Sequence, residues 1–201
     1  HPGVLRKMTF LTVTLLAIEF LGEFVFGIRE AAWSLTRTDL ELGYAQIGLL
    51  LSAPSVVSGL VEPVLGILGD VWRRRLLILV GGAVFALALL LTALSRGFPA
   101  LLTAFILLYP ASGAFVTLSQ ATLMDADAAH HEQNMARWTF AGSLGIVIGP
   151  LALGAAARVG LGWRRLFLLS AGLTLVLLAM AARLRFTHRQ PEPQVTGFKG
   201  A

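Results

Sequence analysis

Six apolar runs, each about as long as a bilayer is thick, follow one another in this chain with only short polar connections between them. A helix needs about 20 residues to cross the hydrocarbon core, and the runs fall at about 8–32, 44–70, 75–95, 99–124, 135–157 and 163–184. Lipid offers no partner to a backbone N–H or C=O, so spans of this length must satisfy their hydrogen bonds internally, as helices. With 56% hydrophobic and 13% charged residues, the expected fold is an all-α membrane protein, a six-helix bundle over residues 1–186. From Thr187 the chain turns polar, with Pro191 and Pro193 and no apolar periodicity, and residues 187–201 read as a polar tail.

An even number of spans puts both termini on one side. That side carries ten of the sixteen Lys and Arg: Arg6, Lys7, Arg73, Arg74, Arg75, Arg137, Arg183, Arg185, Arg189 and Lys199. Arg29, Arg37, Arg96, Arg158, Arg164 and Arg165 fall on the other. The excess places the termini in the cytoplasm. Trp33, Trp72, Trp138 and Trp163 all stand at the ends of runs, where an indole prefers the headgroup level. The net charge of +5 sits at span edges rather than along one polar surface, which argues against a nucleic-acid partner. The absence of cysteine excludes disulfides and thiolate metal sites. The first run contains acidic residues and lacks a small-residue cleavage pattern after it, unlike a signal peptide. His1 in place of a starting Met implies that residues precede it.

Acidic residues inside the spans are the main candidates for function. Glu19 and Glu23 are four apart and share one helix face. An acidic residue at mid-membrane costs about 2.5–3.5 kcal/mol on insertion scales, so it normally faces a cavity, a partner or water. Two carboxylates this close disfavour simultaneous ionisation, which suits a site that carries a proton. The alternative is that they line a cavity or bond a neighbouring helix without cycling protons. Glu62 is the third such carboxylate; its neighbour Pro63 lacks an N–H and leaves the Gly59 carbonyl free to face a cavity. A local bond from Glu62 to a Ser or a backbone group is the competing reading. Tyr109, Ser119 and Gln120 in the fourth run are candidate hydrogen-bonding groups for a substrate or for a neighbouring helix. His130, His131 and Glu132, with Asp127 and Asn134, read as a solvated polar loop rather than a metal site. Arg29 and Glu30 read as anchors of the first span at the interface.

Residues 66–75 resemble the signature loop between the second and third spans of the major facilitator superfamily of secondary transporters. Gly66, Leu68, Gly69, Asp70, Arg74 and Arg75 match its pattern; Val71 and Arg73 stand where it has a basic residue and a second glycine. Asp125 resembles the acidic partner that assists the loop arginines. Gly66, Gly69, Asp70, Arg73, Arg74, Arg75 and Asp125 are therefore the implied cytoplasmic latch. In the fifth run, GSLGIVIGPLALG resembles the antiporter motif of drug and proton exchangers, with Gly145, Gly149, Pro150 and Gly154 matching and the last glycine one position displaced. Gly142, Gly145, Gly149, Pro150 and Gly154 also read as a small-residue face that lets another helix approach. Proton-coupled exporters carry an arginine in the fourth helix where this chain has Tyr109, so coupling falls to Glu19, Glu23 and Glu62.

The resemblance implies one of two six-helix bundles, each built from two inverted three-helix repeats. It implies the N-terminal bundle, with a C-terminal six-helix partner in the same parent protein, in a bacterial-type inner membrane and without a cofactor. Proton-coupled efflux of a small organic solute by alternating access is the implied activity, with gradient-driven uptake as the alternative. An intramembrane enzyme is disfavoured, since every histidine lies outside the spans and no buried nucleophile has a base to pair with. A passive scaffold would use glycine faces too, but would gain nothing from three midspan carboxylates.

Overall fold

Each apolar run is helical in the computed structural model, which describes residues 2–71 and 74–184. The elements are α1 (Pro2–Ala31), α2 (Trp33–Asp39), α3 (Tyr44–Val71), α4 (Arg74–Leu94), α5 (Phe98–Ser112), α6 (Leu118–Ala126), α7 (His131–Arg158) and α8 (Trp163–Ala182). A π-turn, Gly113–Thr117, joins α5 to α6 as one span, and a 3-10 turn, Ala128–His130, leads into α7. Six stretches are long and apolar enough to cross a membrane: α1 from Thr9, α3, α4, α5 through α6, α7 and α8. Among the described residues there is no strand. The protein is thus an all-α, multi-pass membrane bundle. Trp72, Arg73 and the tail lie outside the described residues.

The helices pack in pairs. α1 lies along α7, α4 along α8, and α5 against both α3 and α4, while α1 also meets α8. Ile18, Val25 and Ile28 of α1, Phe85 and Leu89 of α4, Leu101 and Leu108 of α5, and Phe167 of α8 are wholly or almost wholly enclosed between them. Lipid tails are as apolar as leucine, so close packing rather than escape from water must hold such helices together, and small residues at the contacts allow it. A Cβ on Gly81 would stand 2.6 Å from that of Ala114 and 2.9 Å from the Phe115 nitrogen, so only glycine lets α4 lie this close to the π-turn.

The π-turn follows Pro110, which has no N–H for the Ile106 carbonyl and interrupts the α-helical ladder just before it. Wider i→i+5 turns of this kind occur mostly as single turns inside α-helices. Here it meets three helices at once: Gly113 faces Glu62 of α3, Ala114 faces Gly81 of α4, and Val116 faces Gly22 of α1. At the end of α7 the Gly160 and Leu161 amides donate to the Ala157 and Ala156 carbonyls at 3.2 and 2.8 Å. Gly160 takes φ +70°, the left-handed conformation that this helix ending requires.

Two readings of the connecting segments are corrected. The polar turns His131–Arg137 extend α7 beyond its apolar run, so Trp138 lies about two turns inside the helix rather than at its end, with its indole buried in the core. The residues read as a solvated loop are mostly helical for the same reason, while His130, His131 and Glu132 are exposed as that reading expected. His131 and Glu132 open α7, where a carboxylate suits the helix N-terminus. Asn134 is buried and accepts from Arg137 at 3.3 Å, and the His130 ring lies 3.0 Å from Asp127. Among the described residues no three His, Asp or Glu gather as metal ligands would.

Candidate functional site

The closest helix contact in the bundle is a glycine seam. Gly142, Gly145 and Gly149, at steps of three and four, form one edge of α7 and are all buried against α1. A Cβ on Gly145 would collide with the Phe20 carbonyl oxygen and stand 2.9 Å from the Phe24 nitrogen; one on Gly149 would lie 2.5 Å from the Phe24 oxygen. α1 answers with Gly27, whose added Cβ would be 2.8 Å from the Ile146 carbonyl oxygen and 3.1 Å from Pro150 Cδ. The two backbones therefore touch over about two turns. Gly154 does not belong to this face. It is exposed with nothing within 4 Å of its would-be Cβ, because the five-residue step from Gly149 carries it around the helix.

Glu19 and Glu23 converge on the upper glycine of this seam. A Cβ on Gly142 would be 2.5 Å from Glu19 Oε1 and 3.3 Å from Glu23 Cγ. Glu19 is only 7% exposed and Glu23 is half-buried. Among the described residues neither carboxylate receives a hydrogen bond, so two acidic groups share a space cleared by a missing side chain.

The other candidates have partners of their own. Glu62 is exposed on α3, accepts from Ser58 Oγ at 2.5 Å and lies across Gly113. Tyr109 meets Phe26 edge to face at 5.5 Å, and the Arg29 guanidinium stands 4.9 Å from the centroid of each ring. Arg29 is 9% exposed and pairs with Glu30. Its guanidinium is turned into the bundle, where Nε and Nη1 meet no hydrogen-bond partner among the described residues and the two aromatic faces stand in for water around the cation. Gln120 Nε2 lies 3.4 Å from Met135 Sδ, bridging α6 to α7. Ser119 is fully enclosed and donates to the Phe115 carbonyl at 2.6 Å, which removes it as a substrate contact.

At the signature-loop end, Arg74 is a hub. Its guanidinium reaches Asp125 at 2.5 Å and Asp70 at 2.8 Å, while its Nε donates to the Gly69 carbonyl at 3.2 Å. Arg75 donates to the Ala182 carbonyl at 2.6 Å. Gly69 lies against Leu118, where a Cβ would be 2.7 Å from a leucine methyl, whereas Gly66 faces open space. No sequence signal marks a second charged cluster at the far end, where Asp39 of α2 meets Trp163 and Arg164 of α8. Asp39 ends α2 and Trp163 and Arg164 open α8, and only their shared side in a six-span topology connects them.

Six spanning helices, intramembrane carboxylates on a glycine seam and an arginine hub between the second and third spans define a membrane carrier bundle. Residues 10–201 match the Major Facilitator Superfamily, and the chain belongs to it. It is 27% identical to the fosmidomycin resistance protein of Escherichia coli (strain K12) over 164 residues, covering 81% of this chain and 40% of that protein. It is 32% identical to the multidrug efflux pump LfrA of Mycolicibacterium smegmatis, over 69% of this chain and 28% of the pump. Over the same shares it is 31% identical to the methyl viologen resistance protein SmvA of Salmonella typhimurium. The chain thus spans well under half the length of these relatives.

Proposed function

We propose that this chain is the N-terminal bundle of a proton-coupled exporter of small organic molecules. The observation that carries the reading is the pair Glu19 and Glu23 on the α1–α7 seam, with Glu19 enclosed and the pair without a hydrogen-bond donor among the described residues. Helices that part and close along a glycine seam change how water reaches such a pair, which links protonation to conformation. The names of the relatives, two resistance proteins and an efflux pump, support outward movement. The substrate site lies between this bundle and a second six-helix bundle, and rocking of one against the other exposes it to either side. α3 and α7, which bury the least of their surface, supply the faces for that partner. The excess of Lys and Arg on their side supports cytoplasmic termini, and the carrier would sit in a bacterial-type inner membrane. There Asp70, Arg73, Arg74, Arg75 and Asp125 latch against a helix end of the second bundle.

The test is flux of a panel of organic solutes into inverted vesicles containing the complete carrier, driven by an imposed pH gradient. Outward-directed transport that collapses with the gradient and with Glu23→Gln is the expected result. Gradient-driven flux in the opposite direction would make the protein an uptake permease, and none for any compound would return it to a scaffold.

A further inference from the structure

The arginine contacts at the two ends of the bundle mirror one another. Arg75 is the second residue of α4 and donates to the carbonyl of Ala182, the last residue of α8, at 2.6 Å. Arg164 is the second residue of α8 and donates at 2.7 Å to the carbonyl of Ser95, which follows the last residue of α4. α4 and α8 run in opposite directions side by side, so each carries near its start an arginine that caps the other's end. A cation in a helix's first turn opposes that helix's own dipole, and the partner's unpaired C-terminal carbonyls compensate for it.

The carboxylates follow the same rule. Arg74, at the start of the third span, pairs with Asp125 at the end of the fourth. Arg164, at the start of the sixth span, pairs with Asp39 in the helix that follows the first. Trp163 Nε1 donates to the same Asp39 oxygen that Arg164 holds, at 3.2 Å, and the guanidinium lies 4.5 Å from the Trp163 ring centroid. Each of these links joins a helix of the first three spans to one of the last three.

We infer that Asp39, Trp163 and Arg164 form a second clamp, the counterpart of the signature loop at the opposite end of the bundle, which positions α2 over the mouth between α4 and α8 and ties the two three-helix repeats together there. Trp163 of the clamp is also a wall of a small cavity that Arg29, Thr36 of α2, Thr92 of α4 and Phe167 of α8 help to line. Thr36 and Thr92 are both buried there. The inference does not depend on which solute or ion is carried.

Because the chain has no cysteine, thiol labelling in membranes containing the full chain reads each end separately. A Thr36→Cys reporter senses the cavity walled by Trp163, and a Thr122→Cys reporter senses a buried position near the signature loop. Asp39→Asn and Arg164→Gln should each speed labelling of the first reporter by roughly tenfold or more and leave the second unchanged. The double variant should label no faster than the faster single variant, as expected of residues that act as one unit. Unchanged labelling at the Thr36→Cys reporter would overturn the clamp, as would additive acceleration in the double variant. Equal acceleration at both reporters would also overturn it, by showing general loosening of the bundle.

Discussion

Glu23 in α1 and Glu62 in α3 read alike as sequence, each a carboxylate deep in an apolar run, yet their surroundings differ. Glu23 shares a glycine-lined contact with Glu19 and meets no donor among the described residues, while Glu62 faces outward with a hydroxyl bonded to it one helical turn away. Insertion cost alone cannot rank such groups. Glu62 has a hydroxyl donor in Ser58, whereas Glu19 and Glu23 meet only each other and a bare glycine, so the proposed proton site falls on the pair rather than on α3.

The largest effect should come from filling the seam. Gly145→Leu would place a branched side chain into the backbone of α1, and loss of folded protein in membranes, read by detergent-extracted thermal stability, is expected. Even Gly145→Ala should cost about 1–3 kcal/mol, the range for an overpacked site with no room to relax. Next comes the acid pair: Glu23→Gln or Glu19→Gln should lower gradient-driven flux of the complete carrier by roughly tenfold or more while leaving expression intact. If Glu62→Gln lowers flux as strongly as either, the distinction between the two regions fails. Ser58→Ala sharpens it further, since freeing Glu62 from its donor should alter flux by less than about threefold if α3 does not carry the proton. The smallest effect belongs to Gly154→Ala, which meets open space and should shift stability by no more than about 0.5 kcal/mol.

The six helices and the all-α class were legible because hydropathy over some twenty residues survives any detail of packing. The seven-residue α2 was not, since it is too short for that signal, and neither was the polar start of α7, which helical hydrogen bonding extends past the apolar run. In the α7 motif the spacing of Gly142, Gly145 and Gly149 shows that one edge is bare and that Gly154 lies off it, but only the three-dimensional structure shows that α1 is the helix packed there. Arg164 illustrates the limit differently. By charge counting it weakens the orientation argument; in three dimensions it lies beside Asp39 and the end of α4, and neither neighbour can be inferred from local sequence.

The π-turn gives the fourth span a tolerance that the other helices lack. An α-helix advances about 100° per residue, so deleting one residue from α4, which is regular from Arg74 to Leu94, would swing everything beyond the cut away from its neighbours. Deleting one from Gly113–Thr117 would instead return an i→i+5 turn to the ordinary period and leave Leu108 above it and Leu123 below it facing inward as they do now. The fourth span thus holds one residue of spare length, placed where three other helices meet it.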